Sequence, residues 1–358
     1  MAAVNVSELL RYASEDKVKD LKAAIVKGGV LKKEIKLQED ARGDPLLAKL
    51  LRSACRRNAT SVVKFLVNIV GRNVLNGAGE DERTPLHYAT IGNKADCVLR
   101  LLHAGANPDQ PDKRGKAPLH HAVARGHIDC MRHLLDTKAN PNQPDKDERT
   151  PLYYATIGNK ADCVLHLLQA GAHPDQPDER GKAPLHYAIE MGHIDCMRYL
   201  LDSNANPNQP DLSGKTPLHY TTDLGHMDLM QHLLLDREAN PNLPDKNGDT
   251  PLDFAVKQNR QNVVKYLISY VLRKTTKDQC RTLLVQAYIK SGEGCLPVLQ
   301  DGIMDCLVGV HISQEDMDAW TELLGRQSER QTWMLAQRAI TIRKELPPPL
   351  LVSSGPML

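Results

Sequence analysis

One opening recurs six times along the chain: Thr84-Pro-Leu-His, Ala117-Pro-Leu-His, Thr150-Pro-Leu-Tyr, Ala183-Pro-Leu-His, Thr216-Pro-Leu-His and Thr250-Pro-Leu-Asp, in steps of 33 residues with a last step of 34. A unit this short cannot cover its own apolar face, so it is stable only when stacked on its neighbours. Each unit carries its own start and stop signals. Proline suits the first turn of a helix, where its missing N–H costs nothing, and a preceding Thr can cap that turn. Nine residues after each opening stands Asn93, Gly126, Asn159, Gly192, Gly225 or Asn259, the residue types that best tolerate left-handed backbone, so a first helix ends there. Cys97, Val98, Leu101 and Leu102 then space one buried face of a second helix, which closes at Ala104-Gly105. Between units runs Asn-Pro-Asp-Gln-Pro-Asp or Asn-Pro-Asn-Gln-Pro-Asp, a proline-stiffened polar turn expected to project as a finger.

The run TPLHYATIGNKADCVLRLLHAGANPDQPD, residues 84–112, resembles the ankyrin repeat, and the likeness extends from Thr84 to about Leu272. The resemblance implies an all-α ankyrin-repeat solenoid of helix pairs with short β-hairpin-like finger loops, and a structural, hydrogen-bonding role for His87, His120, His186 and His219. Upstream, Lys49 to Asn58 and Val62 to Leu66 keep the spacing without the opening, and residues 7–29 look like a more worn helix pair. Residues 1–83 are therefore expected to be degenerate capping repeats, followed by six repeats over 84–272. A C-terminal helical segment is expected over 273–346, with Trp320 and Trp333 packing it onto the last repeat, and an extended Pro-rich tail over 347–358.

Charge and cysteine usage narrow the partners. Residues 1–75 hold 15 Lys and Arg against eight Asp and Glu. The cluster Arg52, Arg56, Arg57 and Lys64 could meet an acidic partner, although a solvated helical face is the simpler reading. No aromatics interleave with these charges, so nucleic acid is not expected. No apolar run is long enough to span a membrane and the start has no signal-peptide profile, which points to the cytosol or nucleus. Cys97, Cys130, Cys163 and Cys196 recur one per repeat, about 8–10 Å apart if successive helices pack normally, too far for disulfides. They read as reduced core thiols. With no Cys-x-x-Cys, no HExxH, no GxSxG and no phosphate-cradling loop, neither a metal, a cofactor nor catalysis is expected.

What remains is protein binding. Residues 84–149 and 150–215 match at 50 of 66 positions, and four of the differences, His121/Tyr187, Val123/Ile189, Ala124/Glu190 and Arg125/Met191, cluster toward the end of a first helix. That end, which ankyrin repeats turn toward their concave side, supplies Ile91, Ala124, Arg125, Ile157, Glu190, Met191, Asp223 and Leu224 as candidate contacts, and Arg114, Arg149 and Arg180 add finger-loop charge. Mixed apolar and charged side chains suit a protein partner better than a metabolite. Drift on any exposed surface would leave the same trace. An alternative function is a ubiquitin-ligase substrate adaptor, because Leu335 to Arg343 followed by Leu346-Pro-Pro-Pro-Leu350 resembles, with departures at Ala336-Gln337, a suppressor-of-cytokine-signalling box. Asn142, Asn208 and Asn242, each eight residues after a leucine, resemble ankyrin targets of an asparaginyl hydroxylase, although the usual acidic residue two places earlier is Asn here. The simpler reading is that these side chains hold the turn.

Overall fold

A computed structural model describes residues 6–27 and 46–274. The expected C-terminal helices, both tryptophans, the ubiquitin-ligase-like stretch and the Pro-rich tail lie outside the described residues. The chain divides into two compact units, one ending at Leu212 and one beginning at Ser213.

Among the described residues, unit 1 is built mainly from helix pairs. The first pair is α1 (Val6–Ser14) and α2 (Val18–Lys27); the second is α3 (Leu46–Arg57) and α4 (Thr60–Val67), followed by one turn of helix, α5 (Arg72–Leu75). Four regular pairs follow: α6 (Pro85–Ile91) with α7 (Ala95–His103), α8 (Pro118–Arg125) with α9 (Ile128–Asp136), α10 (Pro151–Ile157) with α11 (Ala161–Gln169), and α12 (Pro184–Glu190) with α13 (Ile194–Asp202). First helices pack on first helices and second on second, in chain order, giving two layers. The worn N-terminal pairs stack in the same order.

The start and stop signals act as expected. Thr84 and Thr150 accept the third amide of their helices, and Asn93, Gly126, Asn159 and Gly192 are all left-handed. Asp16 and Asn58 do the same in the two worn pairs. Each second helix buries the predicted face: Cys97, Val98 and Leu101 are wholly covered, as are Cys130, Met131 and Leu134. A fully buried Leu or Met contributes roughly 1.5–3 kcal/mol. The recurring cysteines also tie repeats together, because the thiols of Cys97, Cys130 and Cys196 donate to Oδ1 of Asn58, Asn93 and Asn159 in the preceding pair, at 3.7, 3.6 and 3.6 Å. At the place equivalent to these asparagines, Cys163 has Gly126, which has no side chain to accept. Burial pushes Cys97, Cys130, Cys163 and Cys196 up to about 11, which keeps them protonated.

Unit 2 contains α14 (Pro217–Leu224), α15 (Met227–Gln231), α16 (Pro251–Lys257) and α17 (Gln261–Lys274). Its longer 34-residue step is absorbed inside the second helix, where His232–Asp236 forms a π-helical turn running on from α15. The closing amide of Ala239 reaches back six residues to Leu233, whereas Ala139 reaches back five to Leu134. Leu233 and Leu234 stay in the core, and the extra residue, Leu235, is pushed to the surface.

Among the described residues there is no strand, so the fingers are hairpin-like turns without a β-ladder. Each is a tight turn opened by a buried aspartate: the Asp112 amide donates to the Lys116 carbonyl at 2.9 Å, and Asp112 Oδ1 accepts from the amides of Arg114 and Lys116 at 2.9 and 3.0 Å. Asp145, Asp178 and Asp245 repeat this arrangement. Neighbouring fingers share single backbone bonds, such as the Lys146 amide to the Arg114 carbonyl at 3.2 Å, too sparse for a ladder.

Candidate functional site

Stacking leaves open the outer sides of both helix layers and the finger turns, and the candidate site is the first-helix side with the finger turns that precede it. Its floor is a row of buried groups. The repeat histidines bridge consecutive repeats: His120 Nδ1 accepts the Ala117 amide at 3.0 Å, and its Nε2 donates to the Arg149 carbonyl at 3.2 Å. His87 makes the same pair of bonds to Thr84 and Lys116, and His219 makes them to Thr216 and Asp249 within unit 2. His186 accepts from Ala183 at 3.1 Å. Burial lowers His87 and takes His120 down to about 4, so both rings are neutral.

Beside the histidines lies a second row that sequence reading missed. The finger aspartate also binds the residue nine places on: Asp112 Oδ2 takes His121 Nε2 at 2.9 Å, Asp145 takes the Tyr154 hydroxyl at 2.6 Å and Asp178 takes that of Tyr187 at 2.5 Å. The constant nine-residue spacing was a usable signal. Burial, and then the hydrogen bond to aspartate, raise both tyrosines. Burial works against the charge on Asp112, but bonds from His121 and two amides outweigh it and lower its pKa. Burial takes His121 down to about 4, the pull of Asp112 notwithstanding. Arg125 Nη1 donates to His121 Nδ1 at 3.3 Å, which requires that nitrogen to be unprotonated and agrees with a neutral ring.

His87, Asp112 and His121 bring ligand-type atoms within 4.8 Å of one another, the kind of cluster that could hold a metal. Both nitrogens of His87 are already committed to backbone groups, and Arg83 Nε lies 3.6 Å from Asp112 Oδ2. The donor set is built for hydrogen bonds, and a cation there would meet one already present.

The residue just before each opening adds a cation at the base of the finger: Arg83, Lys116, Arg149 and Lys182 in unit 1. Lys116 Nζ sits 4.1 Å from the Tyr154 ring centre, Lys182 lies 5.4 Å from that of Tyr187, and the Arg149 guanidinium 5.2 Å from that of Tyr153. Arg149, expected on a finger, therefore belongs to this basal row, half-buried and bridged to Asp147 at 2.8 Å. Arg114 and Arg180 are exposed on the finger turns.

The predicted contacts divide by exposure. Ala124, Arg125 and Met191 are open, Met191 at 55%; Ile91, Ile157 and Glu190 are half-buried, and Glu190 is held by Lys182 Nζ at 3.0 Å. In unit 2, Leu224 is open at 39% and Asp223 half-buried. Of the four clustered differences between the duplicated blocks, Val123/Ile189 is core and His121/Tyr187 is the buried partner of the finger aspartate. Only Ala124/Glu190 and Arg125/Met191 alter the surface. The basic N-terminal cluster also needs correction: Arg52 is buried and donates to the Gly77 carbonyl at 2.8 Å, leaving Arg56, Arg57 and Lys64 exposed. Among the proposed modification targets, Asn142 is occupied on both sides, accepting the His173 amide at 2.7 Å and donating to the Gly171 carbonyl at 3.0 Å.

Comparison with known proteins agrees with this architecture. The sequence matches a family model described as ankyrin repeats (3 copies) over residues 50–145, 138–211 and 206–278. The structure is similar to the ankyrin repeat domain of Bcl-3, a unique member of the IkappaB protein family, at 30% identity and a TM-score of 0.54, covering 56% of this chain and 91% of that one. It is also similar to the human ASB11 ankyrin repeat domain, at 28% identity and a TM-score of 0.48, covering 59% of this chain and 89% of that one. No curated protein matches the sequence. With the repeat openings, the stacked helix pairs and a family match over well over half its length, the chain belongs to the ankyrin-repeat family.

Proposed function

We propose that this chain is a non-catalytic binding module that holds a protein partner on the outer side of its first helices and on its finger turns. Ankyrin repeats generally mediate protein–protein interaction, and a protein partner follows from the family. One observation carries the placement. Between the duplicated blocks the capping residues, finger aspartates and second-helix thiols are unchanged, while the open first-helix end changes from Ala124-Arg125 to Glu190-Met191. The caps, finger aspartates and thiols are kept while the exposed first-helix end is varied.

The remaining contacts are Ile91, Ile157, Arg114, Arg149 and Arg180 in unit 1 and Asp223 and Leu224 in unit 2. Among the described residues no helix is long and apolar enough to cross a membrane. Five buried free thiols among the described residues support a reducing compartment, the cytosol or nucleus, which imaging of a tagged chain would test. Co-purification followed by comparison of wild type with an R125A/E190A/M191A variant tests the surface. Loss of the captured partner by a folded variant is expected, and retention by it would refute the assignment.

A further inference from the structure

The internal duplication compares one site with itself. Lys182 and Lys116 are equivalent residues at the base of successive duplicated fingers. Lys182 is neutralised from within: both carboxylate oxygens of Glu190, eight residues on, lie 3.0 Å from its ammonium. The position equivalent to Glu190 is Ala124, which is exposed, and no carboxylate lies within ion-pair distance of Lys116 among the described residues. The nearby aspartates are spoken for: Asp112 and Asp145 each give Oδ1 to two finger amides and Oδ2 to His121 and Tyr154. Lys116 is thus a half-buried ammonium over the Tyr154 ring, with exposed Ala124 standing where the other copy supplies the Glu190 carboxylate. Arg125 follows as a second cation where the other copy has Met191.

We infer that Lys116, Ala124 and Arg125 form a receptor for an acidic side chain, with a partner's Asp or Glu carboxylate taking the place over Lys116 that Glu190 fills over Lys182. This deepens the proposed function and rests on it. The occupant is an Asp- or Glu-bearing segment of a partner protein, because one carboxylate is what Glu190 supplies at the equivalent place and the Tyr154 ring beside Lys116 offers an apolar face for its methylenes. Partial desolvation makes such a pair stronger than a fully exposed one, and Arg125 adds attraction at the rim.

The duplication also supplies variants that preserve the fold. Ala124→Glu recreates the Glu190 arrangement and should fill the receptor from within, while Glu190→Ala should empty the equivalent place at Lys182. A displayed library of random 12-residue peptides is selected against the full chain, and recovered peptides are titrated by fluorescence anisotropy. Binders enriched in Asp and Glu are expected, with affinity reduced about tenfold or more by A124E and by K116A, equivalent to roughly 1.4 kcal/mol. K116E should recover affinity for a peptide whose key acid is changed to Lys. No binders, binders without acidic enrichment, or unchanged affinity in a folded A124E variant would overturn the inference. Peptides or a captured partner that ignore A124E but are lost on R125A/E190A/M191A would leave the proposed function standing and remove only this receptor.

Discussion

Replacing His121 with Tyr should remove a defined share of the protein's acid sensitivity. His121 is buried and neutral near pH 7, and the folded chain takes up its proton at lower pH than the unfolded chain does. With a folded pKa of about 4 against roughly 6.5 unfolded, its contribution is complete above pH 6.5, falls as the pH drops from 6.5 to 4, and is constant below that. At pH 5 the linkage relation gives a loss of about 2 kcal/mol relative to pH 7.5. His120, also near 4, adds a similar loss. A domain with a typical stability of about 5–15 kcal/mol should register either change. Tyrosine is the right replacement because Tyr154 and Tyr187 stand at the equivalent positions and bond Asp145 and Asp178. The new ring would meet His87 as Tyr154 meets His120, edge to face at 5.9 Å. Urea unfolding followed by circular dichroism at pH 7.5 and 5.0 measures the effect. The difference between wild type and H121Y cancels the titrating groups that do not touch residue 121, while the tyrosine hydroxyl keeps a hydrogen bond on Asp112, and H121Y should lose about 2 kcal/mol less on acidification, about 1 M in urea midpoint. An equal loss in both proteins would show that His121 is not held neutral and would sink the reasoning.

Three further outcomes follow from the backbone and the buried groups. Gly192→Val should cost more than about 1 kcal/mol, because its φ of 67° opposes a β-branched residue, whereas Gly192→Asn should be tolerated as at Asn93 and Asn159; equal melting temperatures would contradict this. Glu148→Gly should stabilise by up to about 1 kcal/mol, since Glu148 holds a φ of 60° where Gly115 and Gly181 hold the same place, and a lower urea midpoint would count against it. Incubation with an asparaginyl hydroxylase, iron and 2-oxoglutarate should leave Asn142 unmodified in the folded chain, its amide being bonded on both sides; a gain of one oxygen there, read by peptide mass spectrometry, would show that the turn opens.

Helix order, helix ends and the buried thiol row were legible in the sequence because each depends on local chemistry repeated at a fixed step. Thr84 and Pro85 can only begin a helix well, Asn93 can only end one cheaply, and Cys97 to Leu102 carries the period of one buried face. The worn pairs were readable for the same reason, since Asn58 kept its stop signal after the opening was lost. The location of the extra residue in the 34-residue step was not. Nothing local distinguishes the three successive leucines before Asp236, and only the need to keep Leu233, Leu234 and Ala239 in the core decides that Leu235 is extruded through a π-turn. The binding surface divides the same way. Variation at Ala124/Glu190 and Arg125/Met191 was visible as sequence difference, but Val123/Ile189 looked no different and proved to be core. Arg149 looked like a finger charge, yet lies in the basal row. Whether a charge is free depends on which side chains the stack brings within a few ångströms. Arg52 is spent on the Gly77 carbonyl and Lys182 on Glu190, while Lys116, with the same sequence context as Lys182, is left open because its neighbour eight residues on is alanine.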